Sequence, residues 1–191
     1  MTNNNNYVAT AFISCSLRPE DMPFIEYVAR ILKAHKIKPV GTVGKFYAAP
    51  ENPAVSMKRN ISNYDFLVII ATPRYFEKDI QTRKTKLSIS EQLHVEAGIA
   101  DGLNKPIIAF VQKGTDVGNF IPQVTQYIML DGTAEDYNNK KRLIFSLLNN
   151  TYKRVQELKG DKTIKSIGNV IVNGLAIYGT IKLIDFLIKK N

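Results

Sequence analysis

One cysteine, two histidines and no tryptophan occur in 191 residues. The lone Cys15 excludes an intrachain disulfide, and a reducing, cytoplasmic setting is the simpler expectation. Two histidines and one cysteine, scattered along the chain, make no zinc-ligand pattern, so no metal is expected. The opening MTNNNNYVATAFI has no basic segment ahead of an apolar one, and a secretory signal peptide is not expected. The formal charge is +9. Its lysines are spread out, however, with KK pairs only at 140–141 and 189–190. No arginine-rich cluster is interleaved with aromatics, so no nucleic-acid partner is expected.

What is present is material for a globular core: 45% of residues are hydrophobic and 23% charged, the balance of an ordinary folded domain. YVATAFISCS (7–16) is β-branched and apolar, a buried strand. RPED reads as a loop, and PFIEYVARILKAH as an amphipathic helix with apolar residues at Ile25, Val28, Ala29, Ile31 and Leu32. KIKPVGTV (36–43) predicts a short strand, GKFYAAPENP (44–53) a loop, and AVSMKRNISN a short helix. YDFLVIIAT (64–72) is a continuous apolar run, as in a central parallel strand covered on both faces. PRYFEKDIQTRKTKL (73–87) predicts a long charged connection. Ser88 to Leu103 reads as a helix, KPIIAFVQK (105–113) as a buried strand, GTDVGNFIPQV as a loop and TQYIML (125–130) as a last strand. A final helix stops near Gly160.

Strands and helices thus alternate about five times. The order predicts an α/β domain over residues 1–160, a flavodoxin-like three-layer fold with a five-stranded parallel sheet. Ligands of such sheets bind beyond the carboxyl ends of the strands. Those ends fall at Ser14–Asp21, Gly41–Asn52, Thr72–Leu87 and Gly114–Phe120.

Two glutamates share the helix in SEQLHVEAGIADGLNKP (90–106). Ser88-Ile-Ser-Glu91 has the form of a capping box, with Ser88 as N-cap and Glu91 as its reciprocal partner. Glu96 has no such local role. It is mid-helix among Val95, Ala97, Gly98, Ile99 and Ala100, where small neighbours let another molecule approach. A carboxylate against apolar surface is desolvated, which is one way to prepare a catalytic group. A glutamate facing water is the plain alternative. His94 lies two positions away, off that face, and reads as structural.

Candidate ligand contacts follow the strand ends. Ser14, Ser16 and Arg18 come after the first strand, where arginine can grip a pyrophosphate with two bonds. Gly41-Thr42-Val43-Gly44 follows the second and allows close backbone approach, although it is no phosphate-loop fingerprint. Phe46 can stack on a base. Arg74 and Tyr75 follow the third strand. Packing or solvated surface is the competing role for each.

ATAFISCS with the following ARILKAHKIKPV resembles the opening of a Toll/interleukin-1 receptor (TIR) domain. YDFLVIIATPRYF is similar to that family's third strand and loop. LHVEAGIADGLNKPIIAF is similar to its helix and fourth strand, and the family's glutamate falls on Glu96. The resemblance covers most of residues 7 to 130. Enzymatic members often carry a tryptophan or cysteine near that glutamate, and this chain has no tryptophan. The resemblance implies NAD as substrate rather than cofactor, Glu96 as the group required for cleavage, a homo-oligomer as the working form, and a role in bacterial anti-phage immune signalling. Glu96-Ala-Gly-Ile-Ala before KP also resembles nucleoside 2-deoxyribosyltransferases, although their D-x-G-T step is replaced here by S-I-S-E. Both families imply scission of a ribosyl N-glycosidic bond, in which one carboxylate stabilises or traps an oxocarbenium-like sugar. A non-catalytic TIR module that only assembles with partners is the third reading.

Residues 161–191 differ from the rest. No charge occurs from Ser166 to Ile181, and the apolar run reaches Ile188 only by including Lys182 and Asp185. Asn169, Asn173, Ala176 and Thr180 form a small, polar stripe. The segment reads either as a helix anchoring the protein to the inner face of a membrane through residues 164–188, or as an oligomerisation helix.

Overall fold

The computed structural model describes residues 7–41, 53–78 and 80–160. The expected C-terminal helix over 161–191 lies outside the described residues, as do Thr42, Gly44 and Phe46. Among the described residues no helix is long and apolar enough to cross a membrane.

The chain runs β1 (Ala9–Cys15), a 3₁₀ turn (Pro19–Asp21), α1 (Met22–Ala34), β2 (Ile37–Val40), α2 (Pro53–Ser62) and β3 (Phe66–Ala71). It continues through β4 (Tyr75–Lys78), β5 (Thr85–Ser88), α3 (Glu91–Gly102), β6 (Ile107–Gln112), α4 (Ile121–Val124), β7 (Tyr127–Leu130) and α5 (Ala134–Lys159). Five strands form one sheet in the order β2-β1-β3-β6-β7, with every pairing parallel. Leaving out β4 and β5, this is the 2-1-3-4-5 order of flavodoxin-like folds, whose ligand crevice lies at the carboxyl ends of β1 and β3. The expected α/β architecture with a five-stranded parallel sheet is therefore present.

Side-chain alternation builds the three layers. Ala9, Ala11, Ile13, Val68, Ile70 and Phe110 face α1 and α5, where Val28, Ile31, Leu32, Ile144 and Leu148 complete one half of the core. Phe12, Leu67, Ile69, Ala71, Ala109 and Val111 face the opposite way, against Ile61 of α2 and Leu93, Ala97 and Ala100 of α3. β3 is buried along its whole length, which is why its sequence is an unbroken apolar run rather than an alternating one. Thr133 caps α5 by accepting from the Asp136 amide at 3.1 Å, and Gly160, at φ 67°, ends it.

Three sequence expectations change. The 73–87 connection is not a plain loop: β4 and β5 form an antiparallel hairpin with Phe76 opposite Leu87. Its base is fixed by backbone bonds from Arg74 to Ser88 and from Asp116 to Leu87, both 2.7 Å. Lys86 adds an ion pair with Asp116 at 2.9 Å. The hairpin leaves Phe76 and Ile80 exposed, so apolar alternation did not announce it. The Ser88 capping box is also absent. Ser88 ends β5, Ser90 is the N-cap of α3, and Glu91 is the first helical residue, exposed to solvent. Strand pairing claims the Ser88 carbonyl, which accepts the Arg74 amide, and tertiary pairing has overridden the local motif. The 114–124 loop contains the short helix α4, started by Pro122 within its first turn.

Candidate active site

Glu96 does not face water: it is 2% exposed. It shares the stripe Leu93, Glu96, Ala97, Ala100 that turns α3 toward the sheet, the i, i+3, i+4, i+7 spacing of a buried helix face. Opposite it comes the carboxyl end of β1. Ser14 follows Phe12 by two residues and so points to the same side of the sheet as α3. Placing a carboxylate here costs free energy unless something compensates.

Compensation is partial. The Gln92 side chain, one helical turn back, donates from Nε2 to Oε1 of Glu96 at 3.2 Å. The Ser14 hydroxyl stands close enough to favour the ionised carboxylate. Even so, its Oγ is buried and makes no hydrogen bond of normal geometry among the described residues. Glu96 has no ion-pair partner there either. Burial, the largest influence, pushes the Glu96 pKa above its ordinary value, against the lowering effect of Ser14 and Gln92.

Asp21, in the same neighbourhood and 3% exposed, is treated differently. Arg18 holds it with two bonds, Nε to Oδ2 at 2.8 Å and Nη2 to Oδ1 at 2.9 Å. Burial opposes its ionisation, but Arg18 and the hydroxyls of Ser16 and Thr72 hold the Asp21 pKa below the ordinary carboxylate value. Arg18 also donates to the Pro73 carbonyl and pairs with Glu20 at 3.2 Å. This guanidinium therefore ties the first βα loop to the end of β3. Cys15 feels both acids. Burial, then the charges of Glu96 and Asp21, push its thiol up to about 12, so it stays protonated and is no nucleophile at neutral pH.

These groups surround a cleft of about 480 Å³ whose walls include Ser16, Arg18, Arg74, Ser90, Gln92 and Glu96. That volume suits a small ligand. It opens at the β1/β3 switch point, where the strand order predicts a crevice. Arg74 is exposed, its guanidinium 5.7 Å from the Tyr75 ring centroid, and it has no ion-pair partner among the described residues. Ser90, the N-cap of α3, makes no side-chain capping bond.

The structure thus gathers Glu96, Ser16, Arg18 and Arg74 around one cleft and sets Ser14 beneath it, next to Glu96. Tyr75 packs under Arg74 on the hairpin and is not on the cleft wall. Gly41 has a structural reason to be glycine: its φ is 73°, and a Cβ there would stand 2.9 Å from the Phe12 ring. His94 sets its ring against Phe120 with centroids 6.1 Å apart, in keeping with a packing role. Gln92, Ser90 and Asp21 are the site residues that sequence reasoning missed. Gln92 was legible as the i−4 neighbour of Glu96; the other two were not marked by any motif. Among the described residues no cluster of three or more metal-ligating side chains occurs.

No family model matches this chain, and no curated protein matches it. Among solved structures it is similar to FerB, a flavoenzyme NAD(P)H:(acceptor) oxidoreductase from Paracoccus denitrificans. The identity is 14% over 78% of this chain and 98% of that one, with a TM-score of 0.48. It is also similar to BcmB, the CMP N-glycosidase of Clostridium botulinum, at 16% identity over 70% of this chain and 98% of that one, with a TM-score of 0.42. At these values neither likeness bears on the reaction of this chain.

Proposed function

We propose that the protein cleaves a ribosyl N-glycosidic bond in a nucleotide, with Glu96 as the group that stabilises or traps the sugar cation. The observation that carries this reading is a carboxylate only 2% exposed, lining a cleft, with no ion-pair partner among the described residues. A buried acid that serves the fold is normally paired, as Asp21 is. A buried acid left without a cation has its charge available for a positive centre that arrives with substrate.

The remaining walls fit the rest of a nucleotide. Arg74 and Ser90 offer a guanidinium with no ion-pair partner among the described residues and a hydroxyl near the start of α3, where backbone amides and the helix dipole favour a phosphate. Glu96 lies six residues beyond Ser90, about 9 Å along the axis at 1.5 Å per residue, a span that puts a sugar near Glu96 when its 5′-phosphate is at the helix start. Arg18 contributes less than its sequence position suggests, because Nε and Nη2 are committed to Asp21.

Leaving-group chemistry separates the substrates. Asp21 is held ionised and Cys15 is a very weak acid, so neither serves well as a proton donor to a departing base. Nicotinamide leaves NAD from a nitrogen that is already cationic and needs no proton. This favours NAD, the substrate implied by the TIR resemblance; a role in bacterial immune signalling rests on that resemblance alone. One observation favours the second reading, a nucleoside or nucleoside-phosphate N-glycosidase of the deoxyribosyltransferase kind. The raised Glu96 pKa keeps a protonated fraction nearer neutrality, and a protonated Glu96 can itself donate to a neutral base.

The test is turnover by the full-length protein at high concentration, wild type against Glu96→Gln, with products resolved by mass. NAD, nucleosides and nucleoside 5′-monophosphates are offered in parallel. The expected result is loss of one of these substrates with release of free base, and a Glu96→Gln variant slower by about a thousandfold or more. Turnover that survives Glu96→Gln overturns the reading, and no turnover of any substrate leaves the assembly module.

A further inference from the structure

Ser14 was expected, as a residue after the first strand, to touch substrate phosphate. Its position says otherwise. The side chain is 1% exposed and does not reach the wall of the cleft, whose β1 contribution begins at Cys15. It lies on the face of β1 that meets α3, beside Glu96. A buried hydroxyl without a partner is uncommon, because an unsatisfied polar group costs about 1–3 kcal/mol. The nearby thiol does not relieve it, since no hydrogen bond joins Cys15 to the Ser14 Oγ among the described residues.

We propose that Ser14 is a positioning residue for Glu96, its hydroxyl hydrogen being the donor that completes a hydrogen bond when the carboxylate is ionised. This rests on the reading of Glu96 as the reactive carboxylate. A serine O–H rotates freely, so the bond can tighten with charge on Glu96 and relax without it. Gln92 already fixes Oε1 from the helix side at 3.2 Å. Ser14 approaches from the sheet side. Together they hold the carboxylate from two elements packed in one core, a helix and a strand, which is how a reactive group is kept in one geometry. No cation is needed for this, so the negative charge remains available to the substrate. Asp21 faces the opposite outcome: its hydroxyl partners Ser16 and Thr72 assist a guanidinium that already cancels its charge. Burial, Ser14 and Gln92 set the ionisation of Glu96, and the other titratable or charged side chains lining the same cleft are Cys15, Arg18 and Arg74.

The experiment reads Glu96 directly and needs no substrate. Full-length protein is labelled with ¹³C at the glutamate side-chain carboxyl. The Glu96 resonance is assigned by its loss in Glu96→Gln, and its titration is followed in wild type, Ser14→Ala and Ser14→Thr. The expected result is an upward shift of the Glu96 titration in Ser14→Ala and restoration by Ser14→Thr, which keeps the hydroxyl. Where turnover is found, Ser14→Ala also lowers kcat by about ten- to a hundredfold, the weight of a hydrogen bond to a charged group, with KM nearly unchanged. An unmoved titration in a folded Ser14→Ala overturns the proposal even if the protein is active. A moved titration in a protein that turns over nothing supports the Ser14–Glu96 bond and counts against the enzymatic reading alone. If Ser14→Ala does not fold, Ser14→Cys, whose thiol is a weak donor of similar size, replaces it with the same two outcomes.

Discussion

At the amino end of the sheet, Asp65 accepts from the Thr10 amide at 2.7 Å and the Thr10 hydroxyl at 3.1 Å, and pairs with Lys159 at 2.6 Å. At the carboxyl end, Glu96 accepts from Gln92 at 3.2 Å and has no cation among the described residues. The surroundings differ in the same sense. The amino end holds a cavity of about 20 Å³ between His35, Ile37, Phe66 and Phe145, large enough for about one water, whereas the carboxyl end holds the cleft of about 480 Å³. Burial opposes ionisation of both acids. At Asp65 the Lys159 and Thr10 contacts more than offset it and hold the pKa below the ordinary value; at Glu96 they do not. One acid is part of the fold's closure, and the other is maintained at the fold's expense. Asp21 shows that the carboxyl end can also pair an acid fully when the role is structural.

The sharpest way to break this contrast is Glu96→Gln, which removes the charge and keeps the shape. Turnover falls by about a thousandfold or more and the chain stays folded. Next is Arg18→Ala. It strands Asp21 at 3% exposure and costs about 3–5 kcal/mol, read as a lower midpoint in urea. Arg18→Lys recovers only part of that, because an ammonium cannot make the two parallel bonds of the guanidinium fork. A smaller loss follows from Asp65→Asn, about 1–2 kcal/mol given the half-exposed lysine partner, with turnover unchanged because Asp65 is at the far end of the strands.

The smallest effect has the opposite sign. At pH 7 the unfolded chain has released the Glu96 proton, whereas the folded state must either keep it or bury the charge, so replacing Glu96 with neutral glutamine stabilises the protein. A gain of about 1 kcal/mol corresponds to a Tm rise of about 2–4 °C. The pH dependence follows from the direction of the shift. The folded state binds the Glu96 proton more tightly than the unfolded chain, for which the reference value is 4.5. Wild-type stability from this group is therefore full below that value and is lost as pH rises through the folded pKa. The advantage of Glu96→Gln should vanish in acid and appear toward neutrality. For Asp65 the order reverses: its contribution is present above the reference value of 3.8 and is lost as pH falls through the lowered folded pKa. Thermal melts of wild type, Glu96→Gln and Asp65→Asn across pH 3–8 give both signs in one series.

The chain's own pattern determined the sheet. Continuous apolar runs at 66–71 and 107–111, separated by helical periods, allow little besides parallel strands covered on both faces. It marked Glu96 as a mid-helix carboxylate among small residues, but the pattern alone left a glutamate facing water as the plain alternative, and the family resemblance made the choice. Only the tertiary structure decided what surrounds that carboxylate. The β4–β5 hairpin carries no alternating apolar signal, since one strand is wholly exposed, and its pairing took Ser88 away from the cap its sequence advertises. The Arg18–Asp21 fork follows from backbone geometry three residues apart, where the sequence showed only a free arginine beyond a strand. Ser14 and Glu96 are 82 positions apart in sequence; whether they meet depends on the register of β1 and the rotation of α3 about its axis. Periodicity fixes which face of an element is apolar, but the partner of each polar group depends on contacts between distant segments, and those exist only once the layers have packed.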